Sequence, residues 1–166
     1  MPSKPALTRR GSVPWVQGRF VPRNPSKYRG NPSNIIYRSS WERTFLHWCD
    51  MTRQVAAWSS EELVIPYQSP VDGKMHRYYV DFVVWMWTPE GIMKYAVEIK
   101  PQAECRMPKP PKRKSLNEAY VKRLQTYEVN CAKWKYARAW CEAHGFRFLI
   151  LTENELCKKQ ASRARR

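Results

Sequence analysis

The 166-residue chain has no apolar run near the ~18 residues that a membrane-spanning helix needs, so no membrane role is expected. Residues 1–10 carry Pro, Lys and Arg where a signal peptide would have its apolar centre. The cysteines, Cys49, Cys105, Cys131, Cys141 and Cys157, are odd in number and form no C-x-x-C pair. His47, His76 and His144 form no metal motif. Zinc spacing is therefore absent, and reduced thiols in a cytoplasmic protein are expected. Acid is missing altogether from three stretches, residues 1–30, 106–114 and 158–166. No internal repeat is visible.

Apolar residues, by contrast, make up 43% of the chain, with 8 Trp, 9 Tyr and 5 Phe, enough to bury a core and to exclude disorder throughout. The length allows one domain. The net charge is +16. The three acid-free stretches hold 17 of the 30 basic residues, which leaves 13 against 14 acids elsewhere. A nearly neutral body thus bears three cationic segments, an arrangement attracted to polyanions through phosphate contacts and counterion release. The domain organisation expected is a basic extended arm at 1–33, a folded domain at 34–157 and a basic tail at 158–166, with a Pro-rich cationic loop at 106–114.

Residues 1–33, rich in Pro, Arg and Gly, suggest an extended arm, not a packed element. Trp41, Phe45, Trp48 and Cys49 share a helical stripe, predicting a helix from about 35 or 39 to 51. Residues 62–68 predict a strand, with Pro66 marking an edge or bulge. Asp72-Gly73 predicts a hairpin turn into a long strand at 75–87, and Pro89-Glu90-Gly91 a turn into a third at 92–100. Tyr120, Leu124, Tyr127, Cys131, Trp134 and Cys141 mark a helix over 115–144, with Gly145 as its stop. Residues 146–152 predict a fourth strand, parallel to an earlier one because it follows a helix. The order α-β-β-β-α-β is that of an α/β domain with helices packed on a central mixed sheet.

Four charges lie where apolar residues are expected. Asp81 sits in a strand of aromatic and β-branched residues, where an unpaired carboxylate is costly. It is either paired or capping a turn, or it belongs to a site. Glu98 and Lys100 share one face of the next strand, and the 89–91 turn makes that strand an antiparallel neighbour of the one holding Asp81. Two carboxylates, the Ile99 carbonyl and water form a hard oxygen set suited to Mg²⁺ or Mn²⁺. With a nearby ammonium, that is the equipment of metal-assisted phosphodiester hydrolysis. Glu42 falls on the apolar side of its helix; it either pairs with Arg38 or projects over the sheet toward Asp81.

A helical Glu42, a strand Asp81 and then Glu98-Ile99-Lys100 resemble the PD-(D/E)XK nuclease superfamily, with Val80 where that superfamily usually has Pro. A longer resemblance starts at Asn24-Pro25-Ser26-Lys27-Tyr28-Arg29-Gly30 and runs through Tyr37-Arg38-Ser39-Ser40-Trp41-Glu42-Arg43. It continues through Val64-Ile65-Pro66-Tyr67, Asp72-Gly73-Lys74, His76-Arg77-Tyr78, Val97-Glu98-Ile99-Lys100-Pro101, Tyr127-Glu128-Val129-Asn130 and Phe148-Leu149-Ile150-Leu151-Thr152-Glu153. These motifs resemble the head completion (head closure) family of large contractile-tailed bacteriophages. The resemblance implies a restriction-endonuclease-like core akin to the endonuclease subunit of heteromeric transposases. It implies a role after DNA packaging and before tail attachment, in the infected host's cytoplasm or at the virion head or neck.

The function expected is a Mg²⁺- or Mn²⁺-dependent DNA endonuclease. Asp81, Glu98 and the Ile99 carbonyl would hold the metal. Lys100 would position or activate water, and Glu42 would orient that water or a second ion. Arg9, Arg10, Lys109, Lys112, Arg113 and Lys114 would contact the DNA backbone without reading sequence. The alternative is an assembly factor that keeps the nuclease fold but works by binding DNA and portal or neck proteins.

Overall fold

The computed structural model describes residues 16–111 and 117–156. Two helices are set by local chemistry. In α1 (Ser40–Met51), the Ser39 hydroxyl accepts the Glu42 amide at 3.1 Å, while the Glu42 carboxylate accepts the Arg38 amide at 2.7 Å and the Ser39 hydroxyl at 3.1 Å. This reciprocal capping defines the helix start. Its far end is closed by Lys27, whose ammonium donates to the carbonyls of Cys49, Asp50 and Thr52 at 3.1, 3.0 and 2.8 Å. In α2 (Glu118–His144), Asn117 accepts the Tyr120 amide at 2.8 Å, and Gly145 ends the helix with φ +69°. That left-handed cap is a conformation that glycine adopts without steric cost.

The central sheet contains β3 (Val55–Ser60), β6 (Phe82–Thr88), β7 (Gly91–Ile99) and β8 (Phe146–Leu151), in the spatial order β3-β6-β7-β8. The first two pairings are antiparallel; β8 runs parallel to β7 after the α2 crossover. Two small antiparallel pairs flank it: β1 (Gly18–Phe20) with β2 (Ile35–Tyr37), and β4 (Val64–Gln68) with β5 (Met75–Tyr79). Single turns of 3₁₀ helix lie at Pro25–Lys27 and Gln102–Cys105.

Strand alternation sorts the core to the two faces of the sheet. On one face Phe45, Leu46 and Cys49 of α1 join Trp58, Phe82, Val84, Val97 and Ile99. On the other, Ala137 and Cys141 of α2 join Ala96, Val80 and the β4–β5 residues Ile65, Tyr67 and Tyr78. Among the described residues no helix is long and apolar enough to cross a membrane. Cys105, Cys131 and Cys141 are free thiols.

The structure differs from the sequence expectations in three places. Residues 16–33 are packed, not an unpacked arm: Phe20 and Tyr28 are buried in the main core. Both oxygens of the buried Asp50 accept amides from that segment, from Arg23 at 2.8 Å and Asn24 at 3.0 Å. The expected 75–87 strand is two strands, because the chain changes partners at Val80 and Asp81. There the Val80 amide donates to Leu63 and the Asp81 carbonyl accepts the Glu61 amide. Finally, β1, β2 and β3 all lie within residues for which no strand was expected, and β2 takes residues 35–37, so the helix begins at the later of its two expected starts. Residues 1–15, 112–116 and 157–166 lie outside the described structure. With them go Arg9, Arg10, Lys112, Arg113 and Lys114.

Candidate active site at the end of the central sheet

The β6–β7 register pairs Phe82 with Val97, so the next step beyond it sets Asp81 against Glu98. Asp81 stands where β5 gives way to β6. Glu98 stands one residue before β7 ends, and Lys100 follows at the exit, its amide bonded to the Leu151 carbonyl of β8 at 3.0 Å. A partner switch on one strand and a strand end on its neighbour thus bring three charges together. Ile99, between the two charges on β7, turns its side chain into the α1-side core.

The carboxylate of Asp81 accepts the Ile99 amide at 2.8 Å. Glu98 is 3% exposed. One of its oxygens receives the Tyr78 hydroxyl at 2.7 Å and the other faces the Lys100 ammonium at 3.2 Å. Burial, and then the negative charge of Glu98, holds the Asp81 carboxyl well above the ordinary carboxylate range. Burial alone would lower Lys100, but Glu98 and Asp81 outweigh it and raise the ammonium above its usual value. Burial and Glu98 likewise push the Tyr78 phenol up, so it remains a donor to Glu98.

Glu42 lies across a cavity of about 300 Å³ lined by Arg38, Glu61, Ser60 and Asp81 among others. The Arg38 side chain pairs with Glu61, while Glu42 bonds the Arg38 backbone in the cap of α1. The Glu42 charge adds to the pressure on Asp81. Glu42 and Asp81 thus line the same cavity, with the Glu42 carboxylate held by the Arg38 amide. Lys109 and Arg106 are exposed on the segment that leaves the site after the Gln102–Cys105 turn.

Sequence reasoning missed two residues that the fold brings here. Tyr78 reads as one more strand aromatic, and Lys133 as one more helical lysine. The Lys133 ammonium lies 5.6 Å from the Tyr78 ring centroid.

The donor set bears on the divalent metal that the nuclease resemblance implies. Among the described residues no three His, Cys, Asp or Glu side chains are grouped to hold an ion. Asp81 and Glu98 supply hard carboxylate oxygens only. Two carboxylates with the rest left to water and substrate suit Mg²⁺, which dehydrates reluctantly and rarely has an all-protein cage. The charge crowding at Asp81 is the kind a divalent cation relieves. The residues fit such an ion.

Comparison with known proteins gives two matches. The family described as TnsA-like endonuclease N terminal matches residues 52–153. That segment contains Tyr78, Asp81, Glu98, Lys100 and Lys133 and leaves out Glu42. The Head completion nuclease of Enterobacteria phage T4 is 42% identical over 146 residues, covering 84% of this chain and 92% of that protein. No solved structure matches the chain.

Proposed function

The chain belongs to the TnsA-like endonuclease N-terminal family, and from that premise we propose that it is a metal-dependent DNA endonuclease acting in phage head completion, after DNA packaging. The mixed sheet flanked by two helices is the restriction-endonuclease-like α/β fold that suits this family. The observation that carries the reading is the meeting of Asp81, Glu98 and Lys100 at one sheet end, inside the matched segment. The phage relative's name supports the place of action.

Asp81, Glu98 and the Ile99 carbonyl would hold Mg²⁺ or Mn²⁺. When bound, such an ion supplies a lowered water pKa and neutralises charge on the phosphate. The protein's own groups do the rest. The Ile99 amide holds one Asp81 oxygen, and Tyr78 and Lys100 hold Glu98, so both carboxylates are oriented before substrate arrives. Lys100, an ammonium paired to Glu98, is placed to hold the attacking water. Glu42, across the cavity from Asp81, orients that water or a second ion. The basic segments, including Lys109, supply backbone contacts to DNA that carry no sequence information. Portal or neck proteins are the partners proposed at the vertex where packaged DNA enters, reached from the host cytoplasm.

The direct test is cleavage of plasmid DNA by the purified chain with Mg²⁺ or Mn²⁺ against chelator; no cleavage with either metal ends the enzymatic reading. Phage lacking this protein, supplied with a Glu98→Ala/Lys100→Ala variant, tests whether hydrolysis is what the head requires. Filled, tailless heads rescued only by the wild-type chain support trimming of the DNA end. Normal maturation with the variant favours the assembly-factor alternative.

A further inference from the structure

Lys133 lies on the face of α2 that packs toward the β4–β5 hairpin. Its ammonium stands over two buried rings, 5.7 Å from the centroid of Tyr67 and 5.6 Å from that of Tyr78. The hairpin register places Ile65 opposite Tyr78 and Tyr67 opposite His76, so the two tyrosines are diagonal neighbours forming one platform. The Tyr78 hydroxyl at the edge of that platform is the group that donates to Glu98 at 2.7 Å. Among the described residues Lys133 forms no ion pair and no hydrogen bond. The charges it feels are those of Lys100, Glu98 and Asp81.

A half-buried ammonium on aromatic faces with no acceptor of its own is an incomplete arrangement. Lysines that serve only packing extend the charged head into water. This one is half-buried over two rings and feels the charges of the two carboxylates, yet each of those is held by other donors: Glu98 by Tyr78 and Lys100, Asp81 by the Ile99 amide. Around Asp81 and Glu98 stand two cations, Lys100 and Lys133, while Glu42 adds a third negative charge acting on Asp81. Burial and the nearness of Lys100 lower the Lys133 pKa, which marks a cation without a full counter-charge.

We propose that Lys133 is a further substrate-contacting residue, whose ammonium, steered by the Tyr67–Tyr78 platform, binds a non-bridging oxygen of the phosphodiester presented to Asp81, Glu98 and Lys100. This rests on the nuclease reading above. It gives the site two cations with separate duties: Lys100, paired to Glu98, holds water, and Lys133, without an acceptor among the described residues, holds the phosphate.

The test uses the full-length chain with Lys133→Met, which keeps the length of the stem, and Lys133→Arg, which keeps the charge. The Lys133→Met variant should lose about 100-fold in kcat/KM on duplex DNA, as expected for a lost transition-state contact. Lys133→Arg should recover to within about 10-fold of wild type. The Mn²⁺ affinity of Lys133→Met measured without DNA should be equal to wild type or tighter, because a neighbouring cation has been removed. A structural role would instead weaken metal binding and cleavage together, and that result overturns the proposal. So does cleavage by Lys133→Met within about 3-fold of wild type. A binding measurement separates the two levels of inference. In an Asp81→Asn background, Lys133→Met should weaken duplex affinity about 10-fold and reduce the salt slope by about 0.9, one phosphate contact. If the wild-type chain cleaves nothing, the nuclease reading fails, and an unchanged affinity and slope would overturn the Lys133 contact on its own terms.

Discussion

The Tyr78 hydroxyl donates to Glu98 at 2.7 Å with both residues 3% exposed, so a strand of the outlying β4–β5 hairpin orients a carboxylate of the central sheet. The bond crosses from one sheet to another, which means the hairpin is part of the site's support. Tyr78→Phe keeps the ring, its packing and the platform under Lys133 while deleting the donor. It should weaken Mn²⁺ binding by about 10- to 100-fold, the cost of removing an outer partner of a ligating group. Titration calorimetry measures this; unchanged metal affinity in the folded variant would show that Glu98 is oriented by Lys100 alone.

Asp81→Asn separates chemistry from stability. Asparagine still offers an oxygen to the Ile99 amide but removes a partly buried charge that Glu98 opposes. Cleavage should fall at least about 100-fold, while the unfolding midpoint without metal should rise by about 2–4 °C, equivalent to about 1 kcal/mol in a chain of this size. DNA affinity should persist, because the cationic segments supply most of it. Calorimetry and gel-shift measurements on the same preparation check all three, and a lowered midpoint would contradict the electrostatic argument.

The cationic segment at 106–114 is testable through the salt dependence of DNA binding. Replacing Lys112, Arg113 and Lys114 together with Ala should weaken binding to all DNA sequences alike. It should also flatten the slope of log K against log salt by about 2.7, three phosphate contacts. Fluorescence anisotropy across a salt series reads the slope; no change would show that these residues stay off the DNA.

Cys141, 1% exposed on the buried face of α2, has its thiol pushed up to about 11 by burial. The folded chain therefore keeps a proton that the unfolded chain begins to release near pH 9. Stability from this group is intact below pH 9 and declines as pH rises toward 11. Urea unfolding from pH 8 to 11 should show a steeper loss for wild type than for Cys141→Ala. Mass spectrometry after iodoacetamide at pH 8 should find Cys141 unmodified until the chain unfolds.

How much of this was legible without coordinates depends on how local each signal is. The α1 and α2 helices were readable because their apolar residues repeat at helical spacing, with Gly145 as the stop of α2. The β6–β7 hairpin was readable from its aromatic and β-branched runs around a Pro-Glu-Gly turn. β3 was not: Val-Ala-Ala-Trp-Ser-Ser has little strand propensity, and pairing with β6 decides it. Nor was the packing of residues 16–33, which depends on Asp50 capturing amides 26 and 27 positions away.

The candidate site divides in the same way. Asp81, Glu98 and Lys100 stood out in the sequence because charges on apolar strands are costly unless used or paired, a property written in the residues and their alternation. The contributions of Tyr78 and Lys133 were decided only by tertiary structure. A tyrosine in a strand and a lysine in a helix carry no cost that marks them. They come to Glu98 because α2 crosses over the β4–β5 hairpin, and that meeting is set by the docking of surfaces far apart in the chain.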